Sequence, residues 1–228
     1  MNNPTRNPQE NHYRSLYNKH KGTTMAVSSE SLAHKALRFK NVCSVFKDDT
    51  SSLLSVHEVG MGIADMNQYI IEHFPDKTIT YSGTEILEEY VLESQKRFPD
   101  SVFYHRDLAT SSFEDCYDYM LFSGVFHQRR DNTIGEWEQF SQNILSNAFK
   151  MCKKGIAFNF ISPFVDFYQT EVYYANLPKL LNFINDHLSR FFEIKHNYAL
   201  FEFTVYVYQP SYIQQLHPEV EFKKYFKP

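Results

Sequence analysis

The spacing of apolar positions along this chain switches repeatedly between a helical and an extended period. From Ser28 to Phe46 they fall three and four residues apart, at Leu32, Ala36, Phe39, Val42 and Phe46, with Ser28 or Ser29 placed to cap the start. That spacing predicts an amphipathic helix. LLSVHEV is a short apolar run ending at two glycines, and from Asp65 to Phe74 the helical spacing returns at Met66, Tyr69, Ile70 and Phe74. The same order then recurs: KTITYSGTEI, SVFYHRDL and YDYMLFSGVF read as strands and EEYVLESQKRF as a helix. Strands alternating with helices need crossover connections, which implies a parallel sheet covered on both faces.

Further along, TIGEWEQFSQNILSNAFKMCK puts Trp137, Phe140, Ile144, Ala148 and Met151 on one helical stripe, and Gly155 stands where a C-cap glycine is favoured. GIAFNFIS reads as a buried strand and LPKLLNFINDHLSRF as a helix, whereas FFEIKHNYALFEFTVYVYQ holds two strand-like runs only a few residues apart. That gap cannot contain a helix crossover, so the last two strands are expected to be antiparallel and joined by a hairpin. The expected fold is α/β: a seven-stranded, mostly parallel sheet with helices on both faces and an antiparallel strand at the carboxyl end.

Composition narrows the function classes. With 228 residues, 43% hydrophobic and 17% aromatic, the chain can bury one large core. Residues 1 to about 12 are polar enough to be disordered, and the expected division is a flexible arm or lid over 1–27 and one domain over 28–228. The absence of a long apolar run and of a signal-type h-region predicts a soluble, cytoplasmic protein with no membrane partner. Cys43, Cys116 and Cys152 are far apart with no CxxC spacing and read as reduced thiols. A formal charge of −4 with no basic run disfavours nucleic acid, and no cluster with ligand spacing marks a metal.

The glycine-poor chain places Gly60 and Gly62 around Met61 at a strand end. Such a turn aims the amides and positive dipole of the next helix above the sheet edge and leaves bare backbone for a ligand. The second strand ends in Glu85, twenty-five residues after Gly60, close to the ~20-residue offset at which an acid takes the hydroxyls of a ribose. Ala64 and Asp65 replace the third glycine of a dinucleotide fingerprint, and Glu58 stands two residues before Gly60. An acid there repels a pyrophosphate but can receive a cationic amino-acid group. These features favour a cationic, phosphate-free adenosine over NAD.

With those residues the sequence resembles the class I S-adenosylmethionine-dependent methyltransferases of small-molecule type, with their Rossmann-like sheet, over roughly residues 30 to 208. HEVGMGIAD looks like the family's first motif, which implies Glu58, Gly60, Met61 and Gly62 at the methionine end of the cofactor. TEI at 84–86 looks like the second, with Glu85 on the ribose and Ile86 on the adenine. HRDL at 105–108 is similar to the third, implying Asp107 and Leu108 at the adenine. FSGVFH at 122–127 corresponds to the end of the fourth strand, with the Phe122 and Ser123 backbone under the cofactor and His127 facing the methyl group. The helix ahead of the sheet is similar to one that closes over the cofactor, which brings in Tyr17 and Arg38; Arg38 can equally be a solvated arginine.

A sulfonium methyl group is already activated, so the protein chiefly aligns nucleophile, carbon and departing sulfur. His127 is the best-placed imidazole to take an acceptor's proton; a histidine behind an apolar strand can also be purely structural. The aromatic loop SPFVDFYQTEVYYANLP follows the fifth strand, with Tyr173 and Tyr174 either walls of an acceptor pocket or ordinary packing residues. The resulting expectation is S-adenosylmethionine-dependent methylation of O or N on a small molecule, in biosynthesis, by a monomer or homodimer, with S-adenosylhomocysteine as product. The alternatives are a partner protein that binds the cofactor without turnover, and an NAD-dependent oxidoreductase.

Overall fold

The computed structural model describes residues 7–20 and 31–226. Its centre is a seven-stranded sheet in the order β3-β2-β1-β4-β5-β7-β6. The strands are β1 (Leu53–Val59), β2 (Thr78–Glu85), β3 (Val102–His105), β4 (Tyr117–Phe122), β5 (Cys152–Ile161), β6 (Phe192–Lys195) and β7 (Glu202–Tyr208). β1 to β5 pair in parallel, while β7 runs antiparallel to both β5 and β6, which makes the expected terminal hairpin. The order reverses between β1 and β4, and open α/β sheets bind ligands at such a switch.

The central strands are apolar without alternation because both faces are covered. On one face Met120, Phe122, Ile156, Phe158, Phe160, Phe203 and Val205 pack against α5 (Ile134–Lys150) and α6 (Leu177–Phe183). On the other, Leu54, Val56, Tyr119, Leu121 and Ala157 meet α2 (Leu32–Cys43) and α3 (Asp65–His73). Trp137 of α5 is 1% exposed and satisfies its indole by donating to the Phe126 carbonyl at 3.0 Å. Thr133 and Glu136 form a capping box that starts α5.

Three details differ from the sequence reading. Ser31 is the N-cap of α2, accepting from the His34 amide at 3.4 Å; Ser28 and Ser29 lie outside the described residues. Helix α1 spans Asn7–His20, so the polar stretch to residue 12 is helical from Asn7, where its Tyr13 and Tyr17 face α4 (Glu88–Arg97). Gly155 is no C-cap. α5 ends at Lys150 with Met151 as its cap, and Gly155 lies inside β5 opposite Tyr208, where an added Cβ would stand 2.8 Å from the Val207 carbonyl oxygen. Its glycine serves close strand packing rather than a left-handed turn.

Candidate active site

β1 runs directly into a left-handed turn: Gly60 has φ +68°, Gly62 +56° and Ala64 +58°. A Cβ at Gly60 would stand 2.8 Å from Val125 Cγ2, so the backbone there has to be bare. The Gly60 and Met61 amides donate to the Thr84 carbonyl at 2.9 and 3.3 Å and lock the turn to the end of β2. Ala64 holds its conformation at the start of α3 despite its Cβ, a steric cost that glycine avoids.

Among the described residues, the hydrogen bonds to Glu85 come from backbone amides, and its carboxylate is the acceptor. It accepts from Gly62 N at 3.0 Å, Ile86 N at 2.7 Å and Leu87 N at 3.4 Å. Burial pushes its pKa up, and these amides pull against that rise. Glu58, 3% exposed, receives the Tyr81 hydroxyl and is pushed well above the usual carboxylate range by burial.

Both acids open onto a cavity of about 580 Å³ over the carboxyl ends of β1, β2 and β4. Gly60, Met61, Gly62, Ile86, Asp107, Leu108 and Ser123 line the same cavity, as do Arg38, His127 and Tyr174. Asp107 Oδ1 accepts from the Ala109 amide at 2.8 Å, which holds the loop after β3. Three expected residues are not on the wall and are corrected here. Tyr17 is buried edge-on against Tyr90, and Tyr13, one turn earlier, takes its place in the lining. Phe122, expected there through its backbone, is absent from the lining, and its ring stacks on Phe126 within the core. Tyr173 turns into the core as well, its hydroxyl donating to Glu138 at 3.0 Å.

At the other end of the cavity lies a charged constellation built by three elements. Arg38 Nε of α2 donates to Glu202 Oε2 of β7 at 2.9 Å, and Asn159 Nδ2 of β5 donates to the same oxygen at 2.6 Å. Asn159 Oδ1 in turn accepts from the Gly124 amide at 2.8 Å, fixing the loop that carries His127. His127 Nε2 is 3.9 Å from Glu202 Oε2 and is buried with no hydrogen-bond partner among the described residues. Burial lowers the imidazole pKa to about 4, against an upward pull from Glu202. The ring is thus neutral at pH 7.

Glu202, Asn159 and Tyr13 escaped the sequence reading. Glu202 had one signal, a lone acid opening the apolar run FEFTVYVY. Among the described residues no three His, Cys, Asp or Glu side chains converge as a metal site, and no helix is long and apolar enough to cross a membrane. The cradle suits a cationic nucleoside: bare backbone at Gly60, a pinned acid at Glu85 and a buried second acid at Glu58.

No family model matches the chain. Over 160 residues, 69% of this chain and 94% of the relative, it is 24% identical to Rv1506c of Mycobacterium tuberculosis, a protein named as a candidate methyltransferase. Among solved structures it is similar to magnesium protoporphyrin IX methyltransferase from Synechocystis PCC 6803, at TM-score 0.60 and 15% identity, covering 88% of this chain and 91% of that one. The N-methyltransferase NodS from Bradyrhizobium japonicum WM9 gives TM-score 0.60 at 10% identity, covering 87% and 97%. Human N-acetylserotonin methyltransferase gives 0.54 at 16% identity, covering 88% and 66%. The fold of this chain is that of the S-adenosylmethionine-dependent methyltransferases.

Proposed function

We infer that the chain is an S-adenosylmethionine-dependent methyltransferase acting on oxygen or nitrogen of a small molecule. The observation that carries this reading is the pairing of Glu85, held by three backbone amides beside the glycine turn, with the buried Glu58 two residues before Gly60. The neighbours support it: the magnesium protoporphyrin IX and N-acetylserotonin methyltransferase structures contain S-adenosylmethionine, and the NodS structure contains S-adenosylhomocysteine. Glu58 offers a pyrophosphate no positive charge and, by its burial, a carboxyl that only a cation would ionise, which argues against NAD.

In this reading Glu58, Gly60, Met61 and Gly62 receive the amino-acid end, Glu85 the ribose hydroxyls, and Ile86, Asp107 and Leu108 the adenine, with the Ser123 backbone beneath. When bound, S-adenosylmethionine supplies a methyl group already activated on a sulfonium. His127 takes the acceptor's proton at Nε2, and Glu202 stabilises the imidazolium that results. Arg38 and Asn159 keep Glu202 ionised and in place. The walls exclude water and hold the acceptor in line, which can supply on the order of 7 to 11 kcal/mol of the barrier reduction.

Thermal-shift measurements with S-adenosylmethionine, S-adenosylhomocysteine and NAD test the assignment. The first two are expected to raise the melting temperature and NAD to leave it unchanged; stabilisation by NAD alone would overturn it.

A further inference from the structure

The wall of the cavity also constrains the acceptor. Among the described residues its lysines and arginines are already matched by carboxylates: Lys35 with Asp65 at 2.7 Å, Arg38 with Glu202 at 2.5 Å and Arg106 with Asp115 at 2.5 Å. An acceptor bearing phosphate or carboxylate would therefore compete with these carboxylates for each lysine or arginine of the described wall. Two buried polar atoms of wall residues have no hydrogen-bond partner among the described residues: His127 Nε2 and Gln9 Nε2. Both belong to side chains that are uncharged at pH 7.

Beyond His127 the wall changes character. Phe201 immediately precedes Glu202, the carboxylate 3.9 Å from His127 Nε2, and packs edge-on with Phe167 at 6.2 Å between ring centroids. Both rings line the cavity and are yet 47% and 56% exposed, so they form its mouth. Phe164, on the same loop, is 70% exposed. Aromatic rings held in water beside a cavity are an unfavourable arrangement that an apolar ligand relieves.

We propose that the acceptor is an uncharged amphiphile, a hydroxyl-bearing molecule that presents its O–H to His127 Nε2 and lays an apolar ring or chain along Phe201 and Phe167. This rests on the methyl-transfer reading and specifies its substrate class. Transfer forms the acceptor's oxygen–carbon bond as the donor's carbon–sulfur bond breaks. The sulfur keeps that electron pair, and the hydroxyl proton passes to His127 Nε2.

The test is calorimetry on the full chain saturated with S-adenosylhomocysteine, titrated with para-alkylphenols of increasing chain length and with a carboxylate-ended analogue of para-butylphenol. The neutral phenol is expected to bind at least about tenfold more tightly than the analogue. Each added methylene should tighten binding by up to about fourfold, and Phe167→Ser with Phe201→Ser should flatten that series. Equal or tighter binding of the carboxylate, no dependence on chain length, or no phenol binding to a chain that does bind S-adenosylhomocysteine would overturn the proposal. Absence of S-adenosylhomocysteine binding would strike the methyl-transfer reading itself, and this proposal with it.

Discussion

At Glu58, burial sets the sign of a pH dependence. In the free chain burial pushes this carboxyl well above its ordinary value of 4.5, with Asp65 and Glu85 adding to the rise and Tyr81 and Lys35 opposing it. A cation brought against Glu58 favours the ionised form, so its pKa falls on binding and a proton leaves. Affinity for S-adenosylmethionine should then increase with pH over the interval between the lowered pKa of the bound state and the raised pKa of the free chain, by up to about tenfold for each unit by which the pKa falls. Calorimetry in two buffers of different ionisation enthalpy reads the released proton; proton uptake would contradict the assignment. Replacing Glu85 by alanine leaves ribose hydroxyls unpaired and should weaken S-adenosylhomocysteine by about 1 to 3 kcal/mol in equilibrium dialysis. His127→Ala should lower kcat by about 10² to 10⁴ while cofactor affinity stays constant, because the role proposed for the imidazole is on the acceptor's proton and not on the cofactor. An unchanged kcat would make His127 a structural residue. With S-adenosylmethionine saturating, so that Glu58 is already ionised against the cofactor, the acid limb of the rate profile for the acceptor should lie near pH 4, where burial places His127, rather than near its ordinary 6.5.

At the scale of elements, the glycine turn, the strand ends and α5 were legible because each has a local cause. Gly60 and Gly62 adopt the positive φ that glycine tolerates, Glu85 closes a β-rich run, and Trp137 to Met151 repeat with helical spacing. Gly155 misled for the opposite reason: its requirement is the approach of Val207 and Tyr208 from a strand some fifty residues later, which no local pattern encodes. Gly155→Ala should therefore lower the unfolding free energy by about 1 to 3 kcal/mol, the usual cost of overpacking. Urea denaturation measures it, and an unchanged midpoint would show that β7 gives way freely. Tyr17 misled in the same manner, and Tyr173 stood open between wall and packing for the same reason. An aromatic on a helix or loop can face a cavity or a core, and their partners Tyr90 and Glu138 settle the matter from distant parts of the chain.

For the molecule as a whole, the site sits where the sheet reverses its order, and elements from both ends of the chain complete it. Tyr13 of α1 closes one side, and Glu202 of β7 reaches Arg38 of α2 across 164 positions of sequence. That long-range pairing is why the contiguous glycine and acid motifs at one end of the cavity were legible in the sequence while the Arg38–Glu202–Asn159 support of His127 was not. It also makes binding a matter of global stability: ligand at a hundredfold excess over its Kd should stabilise the fold by about 2.7 kcal/mol. Titration of the intact chain with S-adenosylhomocysteine in a calorimeter tests the account at its base. One saturable site per chain is predicted, and a flat trace with no heat of binding would contradict it.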